Sequence, residues 1–136
     1  MARVYLDSCI VIYLVEGAAD VQVPVREAIQ NARGMELCIS DLVRMECRVS
    51  PLRRGDTDTL SQFERFFSLT TVLPLTPDVF DLAAEPRATK GCRTPDALHL
   101  AAAIRHGCRE FWTNDLRLAD TSAQITMRVL PEGHAK

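Results

Sequence analysis

Strand-like runs alternate with helix-like segments along the chain, and this alternation limits the folds that the sequence can adopt. Each short run of β-favouring residues is followed by a segment whose apolar residues recur at helical spacing. The runs are residues 3–6, 37–39, 71–73, 111–113 and 127–130. Strands that alternate with helices predict right-handed crossovers and a parallel sheet covered on both faces. We therefore expect an α/β fold: a three-layer α/β/α sandwich around a central, mostly parallel sheet of four to five strands.

Six helices are predicted in this pattern, and capping signals and prolines set their ends. Ser8, Asp56 and Thr94 are expected at the N-caps of the first, fourth and sixth helices. Pro51 should end the third helix and Pro86 should interrupt the fifth, because proline lacks the N–H that a helix interior needs.

Length and composition are those of a small globular protein. The 136 residues are 47% hydrophobic and 25% charged. A chain near this length buries about 68–70% of its unfolded surface, so we expect one domain over residues 1–136, with residues 131–136 as a frayed tail. The net charge of −2 gives no general basic field. An acidic metal pocket flanked by local arginines can still bind phosphates, so RNA stays a possible partner.

Two further features concern location. The five cysteines are scattered without a C-x-x-C pair, which is typical of reduced thiols in a cytosolic protein. The apolar run at residues 9–15 is far shorter than the ~20 residues of a membrane span. We expect a cytoplasmic protein that does not enter a membrane.

Four acidic residues occupy positions that a parallel sheet would bring together. Asp7 and Asp115 follow strand-like runs, and Glu46 and Asp96 lie close to predicted helix starts. In open α/β sheets, ligands bind outside the carboxyl ends of the strands. Carboxylates gathered there repel one another unless a cation neutralises them. The pattern indicates a divalent-metal site.

Each of these acids also has a simpler explanation. Asp7 and Asp96 can cap the helices that follow them, Asp115 can belong to an Asn-Asp turn, and Glu46 can be a solvated helical residue. His99 lies about one helical turn after Asp96 and could approach a metal, but a packed histidine with a local partner is the favoured interpretation. The case for a metal site depends on all four acids occurring together.

The segments around these acids resemble the four motifs of PIN domains, the ribonuclease fold of VapC-type toxins. LDSCIVIYL at residues 6–14 is similar to the opening motif, and ISDLVRME at residues 39–46 to the second. TPDALHLAAA at residues 94–103 resembles the third and most specific motif, and WTND at residues 112–115 the fourth. The resemblance spans nearly the whole chain in the right order. It implies a Mg²⁺- or Mn²⁺-dependent endoribonuclease that leaves 5′-phosphate and 3′-hydroxyl ends.

The resemblance also implies roles for individual residues. Asp7, Asp96 and Asp115 would be direct or water-mediated metal ligands, and Glu46 would hold a metal-bound water or a second ion. Three neighbours would position the carboxylates: Ser8, Thr113 and Asn114. Basic side chains in the flanking segments could contact the RNA backbone or could simply be solvated: Arg44, Arg48, Arg53, Arg54, Lys90 and Arg93.

The first, second and fourth helices carry more apolar residues than one sheet face can bury, so we expect part of this surface to contact another protein chain. These apolar residues are Ile10, Ile12, Tyr13, Leu14, Val21, Val23, Val25, Leu60, Phe63, Phe66 and Phe67. The resemblance implies a homodimer and a cognate antitoxin whose C-terminal segment folds onto a groove near these helices. An antitoxin arginine would compete with the metal for the carboxylates.

Three other classes of protein share part of this acidic pattern. A receiver-type signalling domain would need an adjacent acidic pair after the first strand and a lysine after a late strand. A phosphohydrolase would need a second aspartate where Cys9 stands. A non-catalytic binding module that keeps an acidic metal-binding pocket remains open, and a metal-binding assay would separate it from an enzyme.

Overall fold

The computed structural model describes residues 1–120 and 124–131, so all of the predicted tail (131–136) except Pro131 lies outside the described residues. The elements within this part of the chain, in sequence order, are β1 Arg3–Leu6, α1 Ser8–Glu16, α2 Ala19–Asn31, β2 Glu36–Ser40, α3 Asp41–Arg53, α4 Thr57–Phe67, β3 Thr71–Leu73, α5 Pro77–Lys90, α6 Thr94–Arg105, β4 Glu110–Thr113, a 3₁₀ turn Leu116–Asp120 and β5 Thr126–Val129.

One five-stranded sheet, with every pair of neighbours parallel, forms the middle layer in the order β3-β2-β1-β4-β5. The predicted fold class is therefore confirmed. The chain builds outward from β1 to β3 and then returns to the other side of β1 through α5 and α6. This reversal places a topological switch point between β1 and β4, and ligands bind at such points in open α/β sheets. Asp7 follows β1 and Asp115 lies two residues after β4.

The central strand β1 is buried on both faces, as expected for a parallel sheet covered by helices. Val4, Tyr5 and Leu6 are fully buried. Tyr5 is in register with Cys38 of β2 and with Phe111 of β4, and its ring stacks on Phe111 at 5.3 Å between centroids. A polar residue in the middle of this core requires a hydrogen-bond partner, which Tyr5 finds on α6.

Two of the predicted helix caps are off by one residue. Asp7 caps α1: it has extended backbone angles, and its carboxylate accepts a hydrogen bond from the N–H of Ser8 at 2.8 Å. At α6 the cap position belongs to Arg93, because the first helical bond runs from the N–H of Ala97 to the carbonyl of Arg93 at 2.9 Å. The Asp56 cap of α4 is confirmed.

Both helix-breaking predictions for proline are wrong. Helix α3 continues past Pro51 to Arg53, and α5 continues past Pro86 to Lys90. A proline inside a helix removes one hydrogen bond and costs about 3 kcal/mol. Burial of Pro51 offsets this cost in α3. Pro86 is partly buried and lines a cavity between α5 and α6.

The aromatic stripe of α4 packs mainly into the core. Phe63 and Phe67 are buried and stack at 6.0 Å between centroids. Eleven apolar residues of α1, α2 and α4 were expected to be more than one sheet face can bury. Of these, Val23 is exposed and the other ten are buried or partly buried. The exposed apolar residues of α3 were not anticipated: Met45, Val49 and Leu52 recur at helical spacing on one face.

Within the described residues, no single helix is long and apolar enough to cross a membrane, and α1 and α2 meet that test only as a pair bent by 113°.

All five cysteines are free thiols, and Cys38, Cys47 and Cys108 are buried.

Candidate active site

Asp7 lies at the carboxyl end of β1 and is held on both of its oxygens. Its Oδ1 accepts the N–H of Ser8 at 2.8 Å, and its Oδ2 accepts the hydroxyl of Thr113 at 2.8 Å. The residue is only 8% exposed. The predicted supporting role of Thr113 agrees with this contact, because a buried hydroxyl at the end of β4 fixes the orientation of the carboxylate.

Glu46 reaches the same end of the sheet from α3. Its Oε1 accepts the hydroxyl of Ser8 at 2.5 Å and contacts Nε2 of His99 at 2.7 Å. Burial favours the neutral acid, but the hydrogen bonds from His99 and Ser8 prevail and lower the pKa of Glu46. Glu46 is thus held as a carboxylate by protein donors and is not a solvated helical residue.

His99 is buried between this carboxylate and the core. Its Nδ1 lies 2.7 Å from the Tyr5 hydroxyl, and its Nε2 lies 3.6 Å from Oδ1 of Asp7. Burial alone would lower the pKa of His99, but the hydrogen bond to Glu46 and the negative charges of Asp7, Glu46 and Asp96 raise it. The structure therefore gives His99 packed local partners, as the sequence favoured.

Asp96 projects from the first turn of α6 into a strongly negative environment. Burial and the charge of Asp7 raise its pKa, and the charge of Asp115 acts in the same direction. Arg93 opposes this effect from 3.6 Å. The pKa of Asp96 is raised although the helix dipole favours its charged form; burial is the largest cause, and the neighbouring carboxylates add to it.

Asp115 is paired with an arginine from its own turn. Arg117 donates to both carboxylate oxygens, from Nε at 3.1 Å and from an amino nitrogen at 2.8 Å, and its backbone N–H adds a third bond at 2.9 Å. These hydrogen bonds lower the pKa of Asp115. The preceding residue, Asn114, donates to the hydroxyl of Tyr13 at 2.7 Å and so holds the loop against α1.

Asp96 and Asp115 line one cavity of about 260 Å³ together with three basic side chains, Lys90, Arg93 and Arg117. Two of the six basic residues named as possible RNA contacts, Lys90 and Arg93, therefore border the carboxylates. The other four do not line this cavity. Arg44 and Arg48 lie 3.6 Å and 2.7 Å from Glu64 of α4.

The four acids share one end of the sheet without forming a ready set of ligands. In the part of the chain that the structure describes, no group of three or more His, Cys, Asp or Glu side chains is arranged to hold a metal ion. Each carboxylate has a protein partner of its own instead. Asp7, Glu46 and Asp115 accept hydrogen bonds from Thr113, His99 and Arg117, and Asp96 forms an ion pair with Arg93 at 3.6 Å. Their donor chemistry nevertheless fits Mg²⁺, which is usually bound by one or two carboxylates together with waters.

Three residues of this site had no predicted role in it. The sequence predicts only a strand position for Tyr5 and a helix start at Ser40, whereas in the structure the Tyr5 hydroxyl lies within hydrogen-bond distance of both Ser40 and His99. The sequence predicts no role for Arg117. The one signal for Tyr5 is a polar residue in the middle of an apolar strand, and the one for Arg117 is its i, i+2 spacing from Asp115.

Comparison with known proteins assigns the family. Residues 4–124 match the model of the PIN domain. No curated protein matches the sequence.

Solved structures at 16–21% identity share the fold. VapBC2 from Rickettsia felis, bound to a DNA fragment from its promoter, has a TM-score of 0.77 at 16% identity over 93% of this chain and 98% of that chain. DNA-bound VapBC from Salmonella typhimurium has a TM-score of 0.76 at 21% identity, over 95% of this chain and 98% of that chain. VapBC-5 from Mycobacterium tuberculosis, a member of the VapBC family of toxin–antitoxin systems, has a TM-score of 0.63 at 19% identity, over 95% of this chain and 98% of that chain. With the family model matching most of its length, this chain belongs to the PIN domain family.

Proposed function

We propose that this chain is a metal-dependent endoribonuclease of the VapC type, acting as the growth-inhibiting toxin of a toxin–antitoxin pair in the cytoplasm. The observation that carries the proposal is the convergence of the four acids at the β1–β4 switch point. Oε1 of Glu46 and Oδ1 of Asp7 lie 2.7 Å and 3.6 Å from the same nitrogen of His99, and Asp96 and Asp115 line one cavity. A divalent cation would neutralise carboxylates gathered in this way. Family membership and the toxin–antitoxin proteins that share the fold support the same function.

Asp7, Asp96 and Asp115 are the residues that would hold Mg²⁺ or Mn²⁺, with Glu46 holding a metal-bound water or a second ion. When bound, the cation supplies charge neutralisation at the scissile phosphate and a more acidic water. Ser8 and Thr113 keep the carboxylates of Glu46 and Asp7 oriented by the hydrogen bonds described above.

Substrate binding falls to the basic side chains around the cavity. Lys90 and Arg93 lie beside Asp96 and can hold RNA phosphates on either side of the cleaved bond. Arg44 and Arg48 of α3 are proposed as more distant backbone contacts, which would exchange their ion pairs with Glu64 for phosphate. Because these contacts are to phosphate, they orient the strand without reading its sequence.

The proposed partners are a second copy of the chain and an antitoxin. The exposed apolar stripe of α3, Met45, Val49 and Leu52, flanks Glu46 and provides a surface for one of them. An antitoxin arginine placed on the carboxylates would replace Arg117 or Arg93 there and would exclude the metal. We expect a dimer at micromolar concentration by light scattering. A strictly monomeric protein would contradict the dimer, and an antitoxin that leaves metal affinity unchanged would contradict the competition.

The proposal is tested with purified protein and single-stranded RNA. EDTA should abolish cleavage, and Mg²⁺ or Mn²⁺ should restore it. Asp96→Asn should lose most of the activity while remaining folded, whereas Asp81→Asn, which removes an exposed carboxylate from α5, should cleave like the wild type. Full activity in EDTA, or a fully active Asp96→Asn variant, would refute the proposed function. Metal binding without cleavage would favour the non-catalytic binding module.

A further inference from the structure

A line of hydrogen bonds crosses the core and ends on Glu46. The Ser40 hydroxyl lies 2.8 Å from the Tyr5 hydroxyl, which lies 2.7 Å from Nδ1 of His99, whose Nε2 lies 2.7 Å from Oε1 of Glu46. Ser40, Tyr5 and His99 are each at most 1% exposed. The line therefore joins β2, β1, α6 and α3 through side chains that solvent does not reach.

The chemistry of the groups fixes the direction of the last hydrogen bond in this line. A carboxylate only accepts hydrogen bonds, so Nε2 of His99 carries the hydrogen that faces Glu46. Nδ1 accepts from the Tyr5 hydroxyl when the ring is neutral and donates to it when the ring is protonated, and a hydroxyl can take either role towards Nδ1 and towards Ser40. In both states of the ring, His99 donates to Glu46.

Local structure does not require these bonds. Ser40 stands at the N-cap of α3 but makes no capping hydrogen bond, because its hydroxyl is turned to Tyr5 instead. Phenylalanine would fill the position of Tyr5, whose ring already stacks on Phe111. Buried polar networks restrict side chains to one arrangement when every member is satisfied. What this network restricts is the carboxylate at its end.

We propose that Ser40, Tyr5 and His99 are positioning residues that fix the Glu46 carboxylate for metal binding, an inference that rests on the proposed function. Both hydrogen bonds to Glu46, from Ser8 and from His99, go to Oε1. This leaves Oε2 as the oxygen for a cation or its water. Without the network the carboxylate could rotate and exchange its two oxygens, and the preorganised ligand would be lost.

The test uses substitutions that do not touch the acids. Tyr5→Phe and Ser40→Ala each remove one bond of the line, and Mn²⁺ affinity is measured by electron paramagnetic resonance. Substitutions of residues that orient metal ligands cost about 10–100-fold in affinity or activity, so we expect at least about a tenfold loss for Tyr5→Phe. Cleavage of RNA should show a lower kcat and an unchanged KM, because the line touches no substrate. Thr70→Val, which removes a hydroxyl bonded to the carbonyl of Phe67, is the control.

A double-substitution cycle separates positioning from general stability. In a Glu46→Gln background, Tyr5→Phe should have no further effect on Mn²⁺ affinity, because the group that it positions is already changed. His99→Gln should retain more affinity than His99→Leu, since the glutamine amide can still donate to Glu46. If Tyr5→Phe does not fold, the Mn²⁺ affinities of Ser40→Ala, His99→Gln and His99→Leu test the inference in its place.

Wild-type Mn²⁺ affinity in both Tyr5→Phe and Ser40→Ala would overturn the inference. So would a Tyr5→Phe effect that persists undiminished in the Glu46→Gln background. Failure of the proposed function is distinguishable: a wild-type chain that binds Mn²⁺ but does not cleave RNA refutes the ribonuclease, and the affinity measurements still test the positioning. A wild-type chain that does not bind Mn²⁺ would refute both.

Discussion

Replacing Asp7 by alanine and by asparagine separates its structural role from its charge. Both substitutions remove the negative charge from the group of acids, so any relief of repulsion is the same in the two variants. They differ in the hydrogen bonds that Asp7 makes to the Ser8 N–H and the Thr113 hydroxyl, both at 2.8 Å. Asparagine can keep the first through its carbonyl and can donate to the oxygen of Thr113. Alanine can make neither.

The expected difference is large for a small domain. Losing an aspartate N-cap costs about 0.5–2 kcal/mol. The Thr113 hydroxyl is fully buried, and leaving such a donor without its acceptor costs about 1–3 kcal/mol. Asp7→Ala should therefore be less stable than Asp7→Asn by about 1.5–5 kcal/mol. With an m-value of about 2 kcal/mol per molar urea, the midpoints should differ by about 0.8–2.5 M.

Urea unfolding followed by circular dichroism at neutral pH measures this difference. EDTA is present throughout, because a bound metal would stabilise the wild type by mass action. Asp7→Asn should unfold near the wild-type midpoint and should have lost most of its RNA cleavage, which places its defect in chemistry and not in folding. Coinciding midpoints for Asp7→Ala and Asp7→Asn would refute the reasoning, since the two hydrogen bonds would then contribute nothing measurable.

Three further predictions test other parts of the structure. Arg117→Gln should raise Mn²⁺ affinity by up to about fivefold in calorimetric titration, because it removes the guanidinium that competes with the metal for both oxygens of Asp115. Weaker Mn²⁺ binding by the variant would contradict this. Asp78 has its pKa lowered to about 2 by hydrogen bonds from a threonine hydroxyl and an arginine guanidinium. Since the ionised form is favoured in the folded state, Asp78→Asn should be less stable than the wild type at neutral pH in urea titrations, and the gap should close as the pH falls from about 4 to about 2. Phe63→Ala should lose about 3–5 kcal/mol of unfolding free energy, against less than about 0.5 kcal/mol for the half-exposed Phe80→Ala; similar losses would place Phe63 outside the core.

The strand predictions succeeded because their signals are local. All five strand-like runs form strands whose ends differ from the prediction by at most one residue. The positions of Asp7 and Asp115 after two such runs, and the parallel topology that alternation imposes, were enough to predict that both lie at one end of the sheet. The match of residues 4–124 to the PIN domain confirms the family that the motifs indicated.

The two proline predictions failed because a local preference does not decide where a helix ends. Helix α3 continues past Pro51, which is buried, and α5 continues past Pro86. Phe63 and Phe67 face the core of their own chain, and periodicity alone does not distinguish a core face from an interface.

The sequence by itself determined the element order, the parallel sheet and the acids that meet at its switch point, because strand and helix signals act between near neighbours. Only the tertiary structure decided which donor holds each carboxylate. Tyr5 and His99 are 94 positions apart, and His99 and Glu46 are 53 apart. Their contacts arise when β1, α3 and α6 pack together, and no spacing rule along the chain encodes the resulting hydrogen bonds.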